Sequence, residues 1–242
     1  MTEPEVVVFD VNETLSDLTP MGQRFVDIGA PELLAKVWFA SLLRDGFALT
    51  AVGSSEGFAT LAEGALRGVL TGVALDRNVD DAVEHVMAGF PTLPVHPDVP
   101  DGVRALRKLG LRLVTLSNGS TEVAERLLSE AGVRDQFERL MSVEQAGVWK
   151  PAPGAYDYAA RSCDVPPAAM MLVAVHPWDI DGAARAGLRT AWLNRLDALY
   201  PPYFSAPDCT AASLPELAAK LSPAERLEAG RAAGPASEGR SS

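Results

Sequence analysis

Two aspartates, a lysine, a histidine and several short polar side chains stand at positions in this sequence from which they could act together. Asp10, Asn12 and Thr14 follow the run VVVF. Ser117, Asn118 and Gly119 follow RLVTL, and His176 and Asp179 follow MMLVAV. Lys150 lies in VWKP, ahead of a helical stretch that holds Tyr156. In an open parallel sheet ligands bind beyond the carboxyl ends of the strands, so groups placed just past each strand are the ones that can meet a substrate. Carboxylates, an ammonium, hydroxyls and an imidazole are the groups of nucleophilic and acid–base chemistry. Taken singly, each has an ordinary explanation: a strand-terminal Asp is commonly a turn or cap residue. Their recurrence at successive strand ends is the signal.

The elements that must position these groups read as an α/β fold with a doubly wound parallel sheet. Val6–Asp10, Leu111–Leu116, Met170–Val175 and Thr190–Leu193 are continuous apolar runs, as expected of strands buried on both faces. Helical patterns follow two of them, over Thr121–Gly132 and Asp179–Gly187, each closed by glycine. Strands alternating with helices indicate parallel βαβ units. Between the first and second strands the alternation stops, and three helical patterns occur instead, over Pro31–Phe47, Glu56–Leu70 and Val79–Phe90. The segment PTLPVHPDVP, Pro91–Pro100, then reads as a hinge back into the sheet. The expected organisation is an α/β core over 1–15 and 98–221, a helical cap inserted after the first strand over 16–97, and a disordered tail over 222–242. That tail has too few large apolar residues to offset its ordering entropy. A cap above the strand ends is a natural lid for a site there.

The 242 residues carry 21 Lys and Arg against 32 Asp and Glu, a formal net charge of −11. Such a balance argues against nucleic acid or an anionic membrane surface as the main partner, because both demand a concentrated positive field. A small anionic substrate would need a local positive pocket set against the global field. No apolar run reaches the roughly 18 residues of a membrane span, and the N-terminus has Glu3 and Glu5 instead of a basic secretory start. Cys163 and Cys209 have no metal-ligand spacing and read as reduced thiols of a cytoplasmic protein.

Four motifs in order, FDVNETL, TLSNGS, WKPAPGAY and VHPWDIDGA, resemble those of the haloacid dehalogenase superfamily, with its HAD-like Rossmannoid core, over residues 5 to 200. SNGS, KPxxxxY and WDxxGA point to its type II (S)-2-haloacid dehalogenase branch. That resemblance implies a hydrolase of carbon–halide bonds that uses no cofactor or metal and takes a short 2-haloalkanoate as its small-molecule substrate; family members often pair as homodimers. Asp10 would be the nucleophile, displacing halide from C2 to form an ester that water hydrolyses. Lys150 would hold and balance the Asp10 carboxylate, Asp179 would orient or activate the water, and Thr14 and Ser117 would hydrogen-bond the Asp10 or substrate carboxylate. Tyr156 completes the implied catalytic set. Asn118 would help bind the halide, with Phe58 as an apolar wall and Asn12, His176 and Trp178 nearby.

Three positions depart from the family pattern. In an ungapped alignment around Trp38, the arginine that relatives place in the cap to hold substrate and halide falls on Ala40. Arg44 lies four residues on and Lys36 four residues back, so either could supply the charge. Ala174 and His176 replace a serine and an asparagine, and a histidine beside Asp179 could act as a base or a hydrogen-bond donor near neutral pH. Asn12 stands where the superfamily's phosphatases have the general-acid aspartate. With Asn12 and Ala174, two carboxylates expected of a Mg²⁺ site are missing, and Asp181 is turned about 200° from Asp179 on a helix. A magnesium-dependent phosphatase and a non-catalytic binding protein of the same fold are the alternatives.

Overall fold

The computed structural model describes residues 4–222; the tail expected to be disordered lies, from Pro223 on, outside them. The first strand, β1 (Val6–Phe9), leads into four helices: α1 (Pro20–Val26), α2 (Leu34–Ala51), α3 (Phe58–Leu70) and α4 (Val79–Gly89). The chain then returns through α5 (Val99–Lys108), β2 (Arg112–Ser117), α6 (Thr121–Glu130), β3 (Arg139–Ser142), α7 (Val143–Ala146) and α8 (Pro153–Cys163). It ends with β4 (Met170–Ala174), α9 (Pro177–Arg185), β5 (Arg189–Leu193), β6 (Cys209–Ala211) and α10 (Leu214–Leu221).

The strands form one parallel sheet in the order β3-β2-β1-β4-β5-β6. β1 lies between β2 and β4, with Phe9 in register with Thr115 on one side and Val173 on the other. The strand order reverses there, and at such a switch point the connections diverge and leave a crevice beyond the strand ends.

The continuous apolar runs are explained by two cores. Val6 and Val8 pack with Leu172 and Trp192 on the face covered by the inserted helices, α8 and α9. Val7 and Phe9 pack with Leu113 and Val173 on the face covered by α5, α6 and α10. Side chains alternate between these faces, so each residue of the strand must be apolar.

The four inserted helices pack on one another and on the sheet domain. α2 buries Trp38, Phe39, Leu42, Leu43 and Gly46, and Trp38 Nε1 donates to the Ala62 carbonyl of α3 at 2.7 Å. The two connecting segments cross as a pair: Asp17 N–H donates to Pro94 O at 2.8 Å and His96 N–H to Leu15 O at 2.9 Å. Trp149, just before Lys150, reaches into the insert. Its ring nitrogen donates to Glu56 O at 3.0 Å, and Gly46 leaves it room, because a Cβ there would sit 2.5 Å from Cε3.

Candidate active site

Asp10 follows β1 at the switch point and is 3% exposed. The turn after it folds back: Leu15 N–H bonds Val11 O at 2.9 Å, and Glu13 takes a positive φ of 61°. This brings Thr14 beneath the carboxylate. Thr14 Oγ1 accepts from Val175 N–H at 3.1 Å and donates to Asp10 Oδ2 at 2.6 Å. The first bond helps to direct the hydroxyl proton towards the carboxylate. Arg195 braces the same turn, donating to Thr14 O at 3.1 Å while its other nitrogen pairs with Asp98.

Lys150 is fully buried. Its Nζ lies 2.8 Å from Asp10 Oδ1 and 2.6 Å from Asp179 Oδ2. The ammonium therefore bridges two buried carboxylates. Asn118 fixes the lysine's backbone, its Oδ1 accepting from Lys150 N at 3.0 Å and its Nδ2 donating to Lys150 O at 3.4 Å. Asp179 sits in the first turn of α9, after Pro177, where proline suits the fixed φ of the first turn and a carboxylate meets the positive end of the helix dipole. Tyr156, fully buried on α8, donates to Asp179 Oδ1 at 2.6 Å.

The two carboxylates differ in acidity. Burial opposes the charge on Asp10, but Lys150, then His176, and the bonds from Lys150 and Thr14 outweigh it and hold its carboxyl below the ordinary value of 3.8. Burial dominates at Asp179 and, with the repulsion of Asp10, holds it above 3.8 despite Lys150. Burial and the neighbouring Asp179 push the Tyr156 phenol well above its usual value, so it is the donor of its bond. Lys150 is raised: Asp10 and Asp179 together overcome the cost of its burial. The site thus holds an ionised carboxylate in Asp10 and, on the far side of the ammonium, a more basic one in Asp179.

His176 borders Asp10 from the end of β4. Its Nε2 is 3.1 Å from Asn12 O and 3.7 Å from Asp10 Oδ2, and its ring stacks on Trp178, with centroids 4.9 Å apart. Trp178 also lies under Lys150 Nζ at 5.9 Å. A cavity of about 730 Å³ opens beside this group, lined among others by Glu13, Lys36, Phe39, His176, Trp192 and Arg195.

Asp10, Thr14, Asn118, Lys150, Tyr156, Asp179, His176 and Trp178 are thus brought together, with Asn12 contributing its backbone oxygen. Three expected residues sit differently. Ser117 is buried behind Asn118, and its hydroxyl accepts from Gly119 N–H at 2.8 Å. Phe58 packs in the core, stacked on Trp149 at 6.2 Å and against Phe90 at 5.0 Å. Arg44 is 70% exposed and paired with Asp45 at 2.8 Å. The face of α2 that carries Ala40 and Arg44 is exposed, because the opposite face is committed to the core through Trp38, Leu42 and Gly46. The α2 residues that reach the cavity are Ala35, Lys36, Trp38 and Phe39, and Phe39 stacks on His176 at 6.5 Å. Asp181 is also remote in function: Arg185 and Ser205 bind its carboxylate and lower it to about 2. Arg195 and Phe39 lie outside the sequence motifs, and Trp149, though it opens WKPAPGAY, carries no sign there of its role, since each acts through a contact between distant segments.

The chain is 29% identical to haloacetate dehalogenase H-2 of Moraxella sp. (strain B), over 87% of this chain and 94% of that one. It is 28% identical to an (S)-2-haloacid dehalogenase of Pseudomonas sp. (strain YL), over 86% and 90%. A crystal structure of an L-2-haloacid dehalogenase superposes with a TM-score of 0.85 at 28% identity, covering 91% of this chain and 99% of that one. The model of the haloacid dehalogenase-like hydrolases matches residues 4–187, and the chain belongs to that family.

Proposed function

We propose that the protein is a cytoplasmic hydrolytic dehalogenase that converts short 2-haloalkanoates to 2-hydroxyalkanoates and halide without a cofactor, through an ester on Asp10. The observation that carries this reading is the buried Asp10–Lys150–Asp179 triad. An aspartate is a weak nucleophile in water, but one that is desolvated and held in line with the substrate gains greatly from proximity. Lys150 and Thr14 fix both Asp10 oxygens, which keeps the carboxylate ionised and oriented. Attack on C2 forms the C–O bond as the C–X bond breaks and halide departs. Once Asp10 is esterified its charge is gone, and Asp179, already the more basic carboxylate, takes a proton from the water that attacks the Asp10 carbonyl. The four inserted helices act as a cap that keeps bulk water from this step.

The substrate's carboxylate is met by Lys36, which lines the cavity near the start of α2, one turn before Ala40 and two turns before Arg44 on the same stripe of the helix. No ion pair involves Lys36 among the described residues, whereas Arg44 has its partner. The free thiols of Cys163 and Cys209 fit a reducing compartment, and among the described residues no helix is long and apolar enough to cross a membrane. The test is halide release from (S)-2-chloropropionate, chloroacetate and fluoroacetate. Release that needs no added metal and is lost in Asp10→Asn supports the reading. Inertness towards all three, or Mg²⁺-dependent phosphate release from small phosphoesters, would overturn it.

A further inference from the structure

The wall that holds the nucleophile is also a wall of the cavity. Val175 N–H donates to Thr14 Oγ1 at 3.1 Å, Thr14 Oγ1 donates to Asp10 Oδ2 at 2.6 Å, and His176 Nε2 stands 3.7 Å from that same oxygen. Val175 and His176 both line the cavity of about 730 Å³, as does Glu13 in the turn after Asp10. A group attached to a carbon under attack by Asp10 therefore has this cavity beside it.

A 2-halopropionate is small for such a space. It has six non-hydrogen atoms, and even at the roughly 30 Å³ that one water takes in the liquid they fill only about a quarter of it. Cavities of about 300–1,000 Å³ suit ligands of drug size, held by apolar and aromatic walls with a few polar groups. The walls here have that character: Met21 and Phe39 come from the inserted helices and Trp192 from β5. Leu33 and Leu196, 66% and 89% exposed, line the same cavity from the insert and from the segment after β5. A single exposed leucine is ordinary surface, but two bordering one cavity beside a nucleophile provide apolar area that a substrate can cover.

We propose that the substrate carries an aromatic ring on C2, so that the enzyme acts on 2-halo-2-arylacetates. The proposal rests on the dehalogenase reading given above. A rigid ring brings a large contact area at little cost in conformational entropy, and it packs offset or edge-on against other rings. Such contacts already occur along this wall: Phe39 stacks on His176 at 6.5 Å and 28°, and Trp192 meets Tyr200 edge-on at 4.9 Å and 73°. A flexible alkyl chain of equal area would lose more rotamer freedom on binding. The bonds made and broken are those of the reading above. Asp10 forms the C2–O bond as the C2–X bond breaks, halide leaves with the electron pair, and water cleaves the ester to give the 2-aryl-2-hydroxyacetate and a proton.

The experiment uses the full-length enzyme with racemic 2-chloro-2-phenylacetate and (S)-2-chloropropionate, and subtracts chloride released without enzyme. Wild type is compared with Ala35→Phe and Ala198→Phe, two separate substitutions that each add a ring at a residue lining the cavity; circular dichroism checks that each is folded. Wild type is expected to show a KM for the phenyl substrate about tenfold or more below that for 2-chloropropionate, because phenyl covers far more apolar area than methyl. The ratio of kcat/KM for the phenyl substrate to that for 2-chloropropionate should fall at least tenfold in a folded variant, as when a binding pocket is overfilled by a methylene or more. The ratio cancels the greater intrinsic reactivity of a benzylic carbon and any general loss of activity. A ratio unchanged in every variant that folds, or a higher KM for the phenyl substrate in wild type, overturns the proposal and leaves the dehalogenase reading intact. Chloride release from neither acid overturns the dehalogenase reading itself. The cavity is then judged by quenching of tryptophan fluorescence with the two products: mandelate bound at least tenfold more tightly than lactate supports an aryl site, and equal binding overturns it.

Discussion

Replacing Lys150 with methionine isolates what the buried ammonium contributes. The side chain is 0% exposed and the carboxylates it bridges are 4% and 0% exposed, so water cannot take its place. Breaking a buried pair by removing one partner costs about 3–5 kcal/mol, because a buried charge is left uncompensated. For a chain of this size each kcal/mol moves Tm by roughly 2–4 °C, so Lys150→Met is expected to melt roughly 6–20 °C below wild type at pH 8. The deficit must depend on pH. In wild type the lowered Asp10 carboxyl adds stability that is present above 3.8 and lost only as pH falls through its lower folded value. Without Lys150, burial raises both carboxyls above their unfolded values, and stability declines as pH rises from about 4 through those raised values. Calorimetric melts at pH 4.5 and pH 8 should therefore show the gap widening with pH. Adding Asp179→Asn removes one of the two stranded charges and should recover much of the loss without restoring activity. A deficit independent of pH, or a double variant no more stable than the single, would refute the electrostatic account.

Three further outcomes follow from the same contacts. Tyr156→Phe removes the donor 2.6 Å from Asp179 Oδ1; if Asp179 activates the water as proposed, it should lower kcat about tenfold while KM changes little, since the phenol touches that carboxylate and not the substrate, as steady-state halide release will show. Lys36→Ala should raise KM for 2-chloropropionate about tenfold, whereas Arg44→Ala, at a 70% exposed residue, should leave KM and Tm unchanged; the reverse pattern would return the carboxylate to Arg44. Gly182→Ala would place a Cβ 2.6 Å from Pro151 Cβ and 2.7 Å from the Tyr156 hydroxyl, so overpacking should cost about 1–3 kcal/mol in chemical denaturation and lower kcat with it.

The pattern of the sequence is informative where chemistry and burial coincide. VVVF is apolar at every position because β1 is central and both its faces are covered, and the four strands read from apolar runs are found within about a residue of their expected limits. β3 and β6 carry weaker signals. Arg139 is exposed at the start of RLMS, and CTA has three residues at the sheet edge, so neither forms a run. α5 begins inside the proline-rich stretch taken for a hinge, because Pro100 falls in the first turn of a helix, where no N–H is needed. The site shows the same division. Asp10, Thr14, Lys150, Tyr156 and Asp179 are recognisable because each ends a strand or belongs to a motif. What Asn118 and Ser117 touch is not, since a side chain past a strand can turn either to the substrate or to the loop that holds it. The charge question also becomes local: against −11 overall, the cation beside Asp10 is Lys150, and Lys36, with Arg195, lines the adjoining cavity, a placement that an ungapped alignment around Trp38 cannot give.

The ester on Asp10 is tested most directly by a single turnover of 2-chloropropionate, with enzyme in excess, in ¹⁸O-labelled water, followed by mass spectrometry of the peptide containing Asp10. Hydrolysis at the aspartyl carbonyl leaves one heavy oxygen in the Asp10 carboxylate and an unlabelled hydroxyl on the first-turnover product. Label on the product hydroxyl with none on Asp10 would mean that water attacks C2 directly, contradicting the role given to Asp10.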